Sequence, residues 1–191
     1  MRKLPAVAFL LLAACAHTTP PEQMRTEMLA MRDADQEVRK RWLKDQQSQA
    51  LKDEMAALSV KHVARVRTFI RELGTWPGKS IVGQDGSGAA WTIIQHAPPE
   101  VIHELLPMME RAAEQDEVSF ALVATTIDRD LVHQGKKQRY GTQFDTNGDK
   151  CEPLPLEDPA RVEELRQRAG LGPLSEYSDM LCKLYKQPQK K

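Results

Sequence analysis

The sequence predicts a mainly α-helical domain, with antiparallel helices packed in a single unit and one small β-hairpin. Three observations predict it. Apolar residues recur at spacings of three and four through most of the chain. Helix starts and stops punctuate these runs at Gly74, Pro98-Pro99, Gly135 and Gly170. The period changes once, around Asn147-Gly148, the strongest two-residue hairpin signal.

The first helix carries Met24, Met28, Met31, Val38 and Trp42 on one stripe. The position that completes the stripe is Asp35, and an acid on an apolar seam needs a partner if it is buried. The second stripe runs Met55, Leu58, Val66, Phe69 or Ile70, and Leu73, is completed by His62, and stops at Gly74. Two helices of this length suit an antiparallel pair. The polar junction "DQQSQAL" either continues the helix or bends it.

A glycine-rich stretch follows, "GKSIVGQDGSG", residues 78–88. It is expected to be a turn-rich linker from which Asp85 or Ser87 caps a short buried helix, "GAAWTIIQHA". Pro98 and Pro99 open a helix to about residue 115, with a kink or break expected at Pro107. Another helix runs from Val118 to about His133. Short strands are expected near 138–144 and 150–155. Asp158 caps the next helix, with Pro159 at its first position and Gly170 beyond its end. Ser175 caps the last, with Tyr177, Leu181 and Leu184 on one face. The tail, 186–191, reads as disordered.

The N-terminus carries the compartment signal. Arg2 and Lys3 precede an apolar run from Leu4 to Ala14, interrupted by Pro5 and too short to span a bilayer. It ends in "LAAC", which resembles the bacterial lipobox, with Leu12 three positions before Cys15 and small residues between. The resemblance implies a signal peptide over 1–14, a lipidated Cys15, a tether over 15–21, and a domain over 22–185. An ordinary secretory signal with a chance cysteine is the other reading. Ala16 rather than Asp after the cysteine points to the outer membrane, facing the periplasm. The membrane, through the N-terminal lipid, is then one partner.

The full chain balances 27 basic against 27 acidic side chains, and loss of Arg2 and Lys3 with the leader leaves a formal charge of −2. Nothing in that balance suggests nucleic acid. Cys151 and Cys182 remain in an oxidising compartment, where they pair as a disulfide or stay as two buried thiols. Their spacing is not that of a metal site.

No cofactor motif is complete. Gly78 and Gly83 have the P-loop spacing, but Gln84 and Asp85 stand where Lys and Ser/Thr belong. "DTNGDK" lacks the glycine and glutamate positions of a calcium loop. What remains is a set of polar residues on apolar faces: Asp35, Asp85, Gln95, His96, Asp128, Arg129, Tyr140 and Gln143. The set reads equally as a functional cleft or as a satisfied buried network. In the cleft reading, His96 and Asp128 are the catalytic candidates. An acid on one ring nitrogen and solvent on the other would build His96 as a general base; two capped nitrogens would make it a core residue. His62, His103 and His133 read as surface or packing residues.

The segments "MRDADQEVR", "WPGKSIVGQDGSGAAWTIIQHA", "LVHQGKKQRYGTQF" and "LEDPARVEELRQRAGLGPLSEY" resemble, in the same order, a bacterial family known as domain of unknown function 6624. The resemblance covers roughly residues 30–178 and implies no activity and no catalytic residue. It does place Asp35, Asp85, Gln95, His96, Tyr140 and Gln143 inside recognisable motifs. Two functions stay open. One is a binding or interaction module on the envelope, with a small-molecule or protein ligand. The other is a small hydrolase using His96 as base. The first is favoured, because no nucleophile–base signature is complete.

Overall fold

The computed structural model describes residues 18–146 and 151–185. Cys15, the leader, the Asn147-Gly148 turn and the tail lie outside the described residues. The helices are α1 (Pro21–Lys44), α2 (Gln49–Leu73), α3 (Lys79–Gln95), α4 (Pro99–Glu114), α5 (Phe120–His133), α6 (Val162–Arg168) and α7 (Leu174–Tyr185). Strands β1 (Phe144–Asp145) and β2 (Glu152–Pro153) pair antiparallel, Phe144 opposite Pro153. The chain is thus mainly α in one domain with a small hairpin, as the periodicity predicts.

The chain reverses between α1 and α2, where the Ser48 hydroxyl caps α2 by accepting from Leu51 N. The two helices run antiparallel, tied by Glu27–Arg65 and Arg41–Glu54 at opposite ends. The core is built from Met24 and Met28 of α1, Val66 and Phe69 of α2, and Ala89, Ala90, Ile93 and Ile94 of α3. Burying each large side chain contributes about 1.5–3 kcal/mol relative to exposure. Gly86 lets α1 come close to α3, since a Cβ there would sit 3.2 Å from Arg25 Cγ. These two helices run parallel, since Arg25 pairs with Asp85 at one end (2.6 Å) and Asp35 with His96 at the other (2.7 Å).

The glycine stretch is not a linker. Residues 79–82 form a helical turn, Gly83 breaks it at φ 75°, ψ 161°, and the helix resumes to Gln95. That conformation is open to glycine almost alone. A Cβ at Gly83 would also sit 3.0 Å from an Asp85 carboxylate oxygen. Gly83→Ala is therefore expected to cost about 1–3 kcal/mol, read from urea unfolding. A neutral substitution would mean that the break is not required.

Pro107 does not break α4, which runs through it. Pro107 lies on the exposed face, so water can take the carbonyl that loses its helical donor. The helix expected from Val118 begins at Phe120. Residues 159–161 form a turn, and α6 starts only at Val162. Asp158 caps that turn by accepting from Ala160 N. The last helix starts at Leu174, so Ser175 lies inside it. It fully buries no residue, and Leu184 is exposed. A Cys151–Cys182 disulfide joins the hairpin to α7, with Cα atoms 5.6 Å apart.

The strands are shorter than expected. Arg139, Tyr140, Thr142 and Gln143 give their backbone N–H groups to side chains rather than to a ladder. Asp128 accepts from Arg139, Tyr140 and Thr142, and Gln138 Oε1 accepts from Gln143.

Candidate functional site

The α1 stripe turns Asp35 toward the C-terminal end of α3, where His96 is the cap residue. His96 Nδ1 lies 2.7 Å from Asp35 Oδ2. An ionised carboxylate only accepts, so Nδ1 carries the proton and the neutral ring leaves Nε2 as an acceptor. Nε2 has no partner among the described residues and is not sealed from solvent. The Asp35 side chain is 5% exposed and that of His96 19%. Asp35 also accepts from Arg39 Nε at 3.0 Å and from Gln36 Nε2 at 3.1 Å.

Burial pushes the Asp35 carboxyl up, but hydrogen bonds from His96 and Arg39, with their charges, bring it down to about 2. Burial holds the His96 imidazole below its ordinary value. The Asp35 bond opposes that shift, and the nearby Arg39 and Arg129 charges add to it. At neutral pH the pair is a carboxylate and an uncharged ring.

The acid dependence follows from the signs. His96 has a depressed folded pKa, so the unfolded chain binds its proton first and stability falls as pH drops below about 6.5. Asp35, folded near 2, contributes stability present above about 4 and lost as pH falls toward 2. Urea midpoints from pH 8 to 5 should fall for the parent and stay flatter for His96→Gln. Equal slopes would remove His96 as the titrating group.

Arg129 of α5 adds a second cation. Its Nη1 donates to the Gln95 carbonyl at 2.7 Å. No carboxylate pairs with it among the described residues, and its Nε is buried without a partner. Burial and the Arg39 charge push its pKa down. The Gln95 side chain accepts from the Thr126 hydroxyl at 2.9 Å, and Thr126 accepts from Trp91 Nε1 at 3.0 Å. Gln95 Nε2 is buried and unpartnered.

The predicted polar set therefore divides. Asp35, Gln95, His96 and Arg129 come together, with Arg39. Asp128 does not orient His96. It is fully buried, and its two oxygens hold the N–H groups of Arg139, Tyr140 and Thr142 and the Thr142 hydroxyl. Its neighbour Arg129 points the other way, to α3. Tyr140 packs its ring edge-on to Phe120, and burial raises its pKa. Gln143 donates to Thr142 Oγ1 at 3.1 Å and to the Thr125 carbonyl. Asp85 pairs with Arg25 at the surface, roughly 16 Å along α3 from His96. His62 is buried, His103 is exposed and bonded to Asp130, and His133 is exposed.

Sequence reasoning missed Arg39, Gln138 and Arg166. Arg39 is legible afterwards as the i+4 partner of Asp35. Gln138 and Arg166 carry no such signal. Arg166 is 1% exposed and donates to the carbonyls of Gly172 and Tyr140, both at 2.7 Å.

The amide end of the glycine segment is already occupied by the protein. Glu117 accepts from Ser80 N through its carboxylate and from Lys79 N through its carbonyl, both at 2.9 Å. A carboxylate of the chain thus stands where a phosphate would have to go. Among the described residues, no three His, Cys, Asp or Glu side chains are grouped to hold a metal ion, and no helix is long and apolar enough to cross a membrane.

Fold and site together define a small helical domain with a largely buried acid–imidazole pair flanked by two guanidinium groups. The chain belongs to the family of unknown function DUF6624, whose model matches residues 22–190. No curated protein and no solved structure matches it.

Proposed function

We propose that this is a lipid-anchored envelope domain, held at the outer membrane through Cys15, that binds a ligand at the His96 cluster. The anchor is supported by the "LAAC" box and the charged, apolar leader before it. The binding site is supported by one observation above the others. His96 is held by Asp35 on one nitrogen and leaves the other without a partner among the described residues, on a side chain 19% exposed. A side chain placed only to fill a core would have both nitrogens capped.

Two measurements test the reading. Cys15→Ala should abolish acylation and move the protein from the detergent phase to the aqueous phase; unchanged partitioning removes the anchor. A fragment screen on the full chain, read by the His96 ring resonances, should find compounds that perturb them. In His96→Gln binding of the same compounds, followed by backbone amide shifts around residues 35 and 95–97, should vanish while the melting temperature changes little, because the Gln amide can still donate to Asp35. A large fall in melting temperature with no fragment response would return His96 to the core.

A hydrolase is the second reading, favoured by the same Nδ1–carboxylate bond, which prepares Nε2 to accept a proton. The nucleophile would be water. Ser59, close by, donates its hydroxyl to the His96 carbonyl at 3.4 Å rather than to the ring. Loss of turnover of an activated ester in His96→Gln, with stability retained, would select this reading over simple binding.

A further inference from the structure

We infer that the His96 cluster takes an oxyanion, a carboxylate or phosphate group drawn to the Arg129 guanidinium beside the His96 ring. The inference rests on His96 marking a binding site, and it names the chemistry of what binds.

The cluster is a connected chain of contacts. Arg129 donates to the Gln95 carbonyl, Gln95 precedes His96, His96 donates to Asp35, and Asp35 accepts from Arg39. Its charge does not balance. Asp35 is the acid of the group, and it is spent on His96, Arg39 and Gln36. Arg129 has no carboxylate among the described residues. A guanidinium is the side chain least able to shed its charge, so a half-buried one without a counter-ion is a standing cost that an anion removes.

The hydrogen-bonding inventory points the same way. Among the described residues, only Nη1 of the Arg129 donors has a protein partner. Arg129 Nε and Gln95 Nε2 are both buried and unpartnered, and both are donors. Two unmet donors, with no unmet acceptor among the buried atoms described, call for a ligand rich in acceptors. A cation would face two guanidinium groups. The fork of a guanidinium fits the paired oxygens of a carboxylate or a phosphate.

The test uses the full chain in neutral detergent, with ¹⁵N spectra of the His96 ring and the Arg129 Nε–H. Inorganic phosphate or sodium acetate should shift both signals saturably and raise the His96 pKa, since an added negative charge favours imidazolium. Arg129→Gln should weaken the apparent affinity by about 10- to 100-fold. Arg129→Lys, which keeps the charge and loses the fork, should fall between. If Arg129→Gln does not fold, the anion-dependent His96 titration in the parent decides. Acetate alone assigns an organic acid, phosphate a phosphorylated solute. A response confined to phosphatidylglycerol nanodiscs, absent from phosphatidylcholine ones, assigns a lipid headgroup. No saturable shift with any of these, or unchanged affinity in a folded Arg129→Gln, overturns the inference. A His96 response to acetamide or glucose with none to anions overturns it and leaves the binding site standing. Silence to every probe overturns both.

Discussion

Asp128→Ala is expected to destabilise the domain by about 3–5 kcal/mol, the largest effect of a single substitution outside the apolar core. The Asp128 side chain is fully buried and accepts three backbone N–H groups and one hydroxyl from residues 139–142. Removing it leaves those donors without acceptors, and Thr142 N lies where water does not reach. Asp128→Asn should cost less but remain harmful, because its amide group turns a donor toward donors. The signature is local as well as global. Amide exchange at Arg139, Tyr140 and Thr142 should accelerate beyond the change in overall stability. A loss below about 1 kcal/mol would mean that the loop is held by other contacts. The same experiment separates the roles of the two acids, because the His96 ring resonances should hardly move in Asp128→Asn and should shift strongly in Asp35→Asn.

The second large effect is expected from the disulfide. Cys151 and Cys182 are 31 residues apart in sequence, and closing a loop of that length contributes roughly 3–4 kcal/mol in the chain-entropy model. Here the loss takes a local form. α7 buries no residue fully, and its hold on the rest comes from partial contacts such as Tyr177 Oη donating to the Thr142 carbonyl at 3.2 Å. Reduction, or Cys182→Ser, should release residues 174–185 before the core unfolds. Hydrogen exchange should show this helix unprotected while α2 and α3 stay protected. Equal protection of α7 with and without the bond would show that packing suffices.

Local chemistry made much of the architecture legible. Gly74, Gly135 and Gly170 end helices because each supplies the left-handed residue that the adjoining backbone requires. Met24, Met28 and Val38 are buried because the helical period puts them on one side. The same period shows that Asp35 sits on a core seam and therefore needs a partner. Where side chains compete with backbone, sequence reasoning erred. Residues 139–143 look like a strand, yet the N–H groups of Arg139, Tyr140, Thr142 and Gln143 are taken by Asp128 and Gln138. Gly83 looks like part of a linker, yet it kinks a helix that continues on both sides.

The pairing of Asp35 with His96 belongs to tertiary structure alone. The two are 61 residues apart, and by sequence Asp128 was as plausible an acid for His96. The choice is made by the parallel setting of α1 beside α3, where Gly86 leaves room for Arg25, and by the rotation of α5, which sends Asp128 to the hairpin and Arg129 to the end of α3. Helical period specifies which residues face inward, because it depends on neighbours a few positions apart. It does not specify which inward residues meet, because a hydrogen bond forms only within about 3 Å, and that distance is set by how whole helices pack.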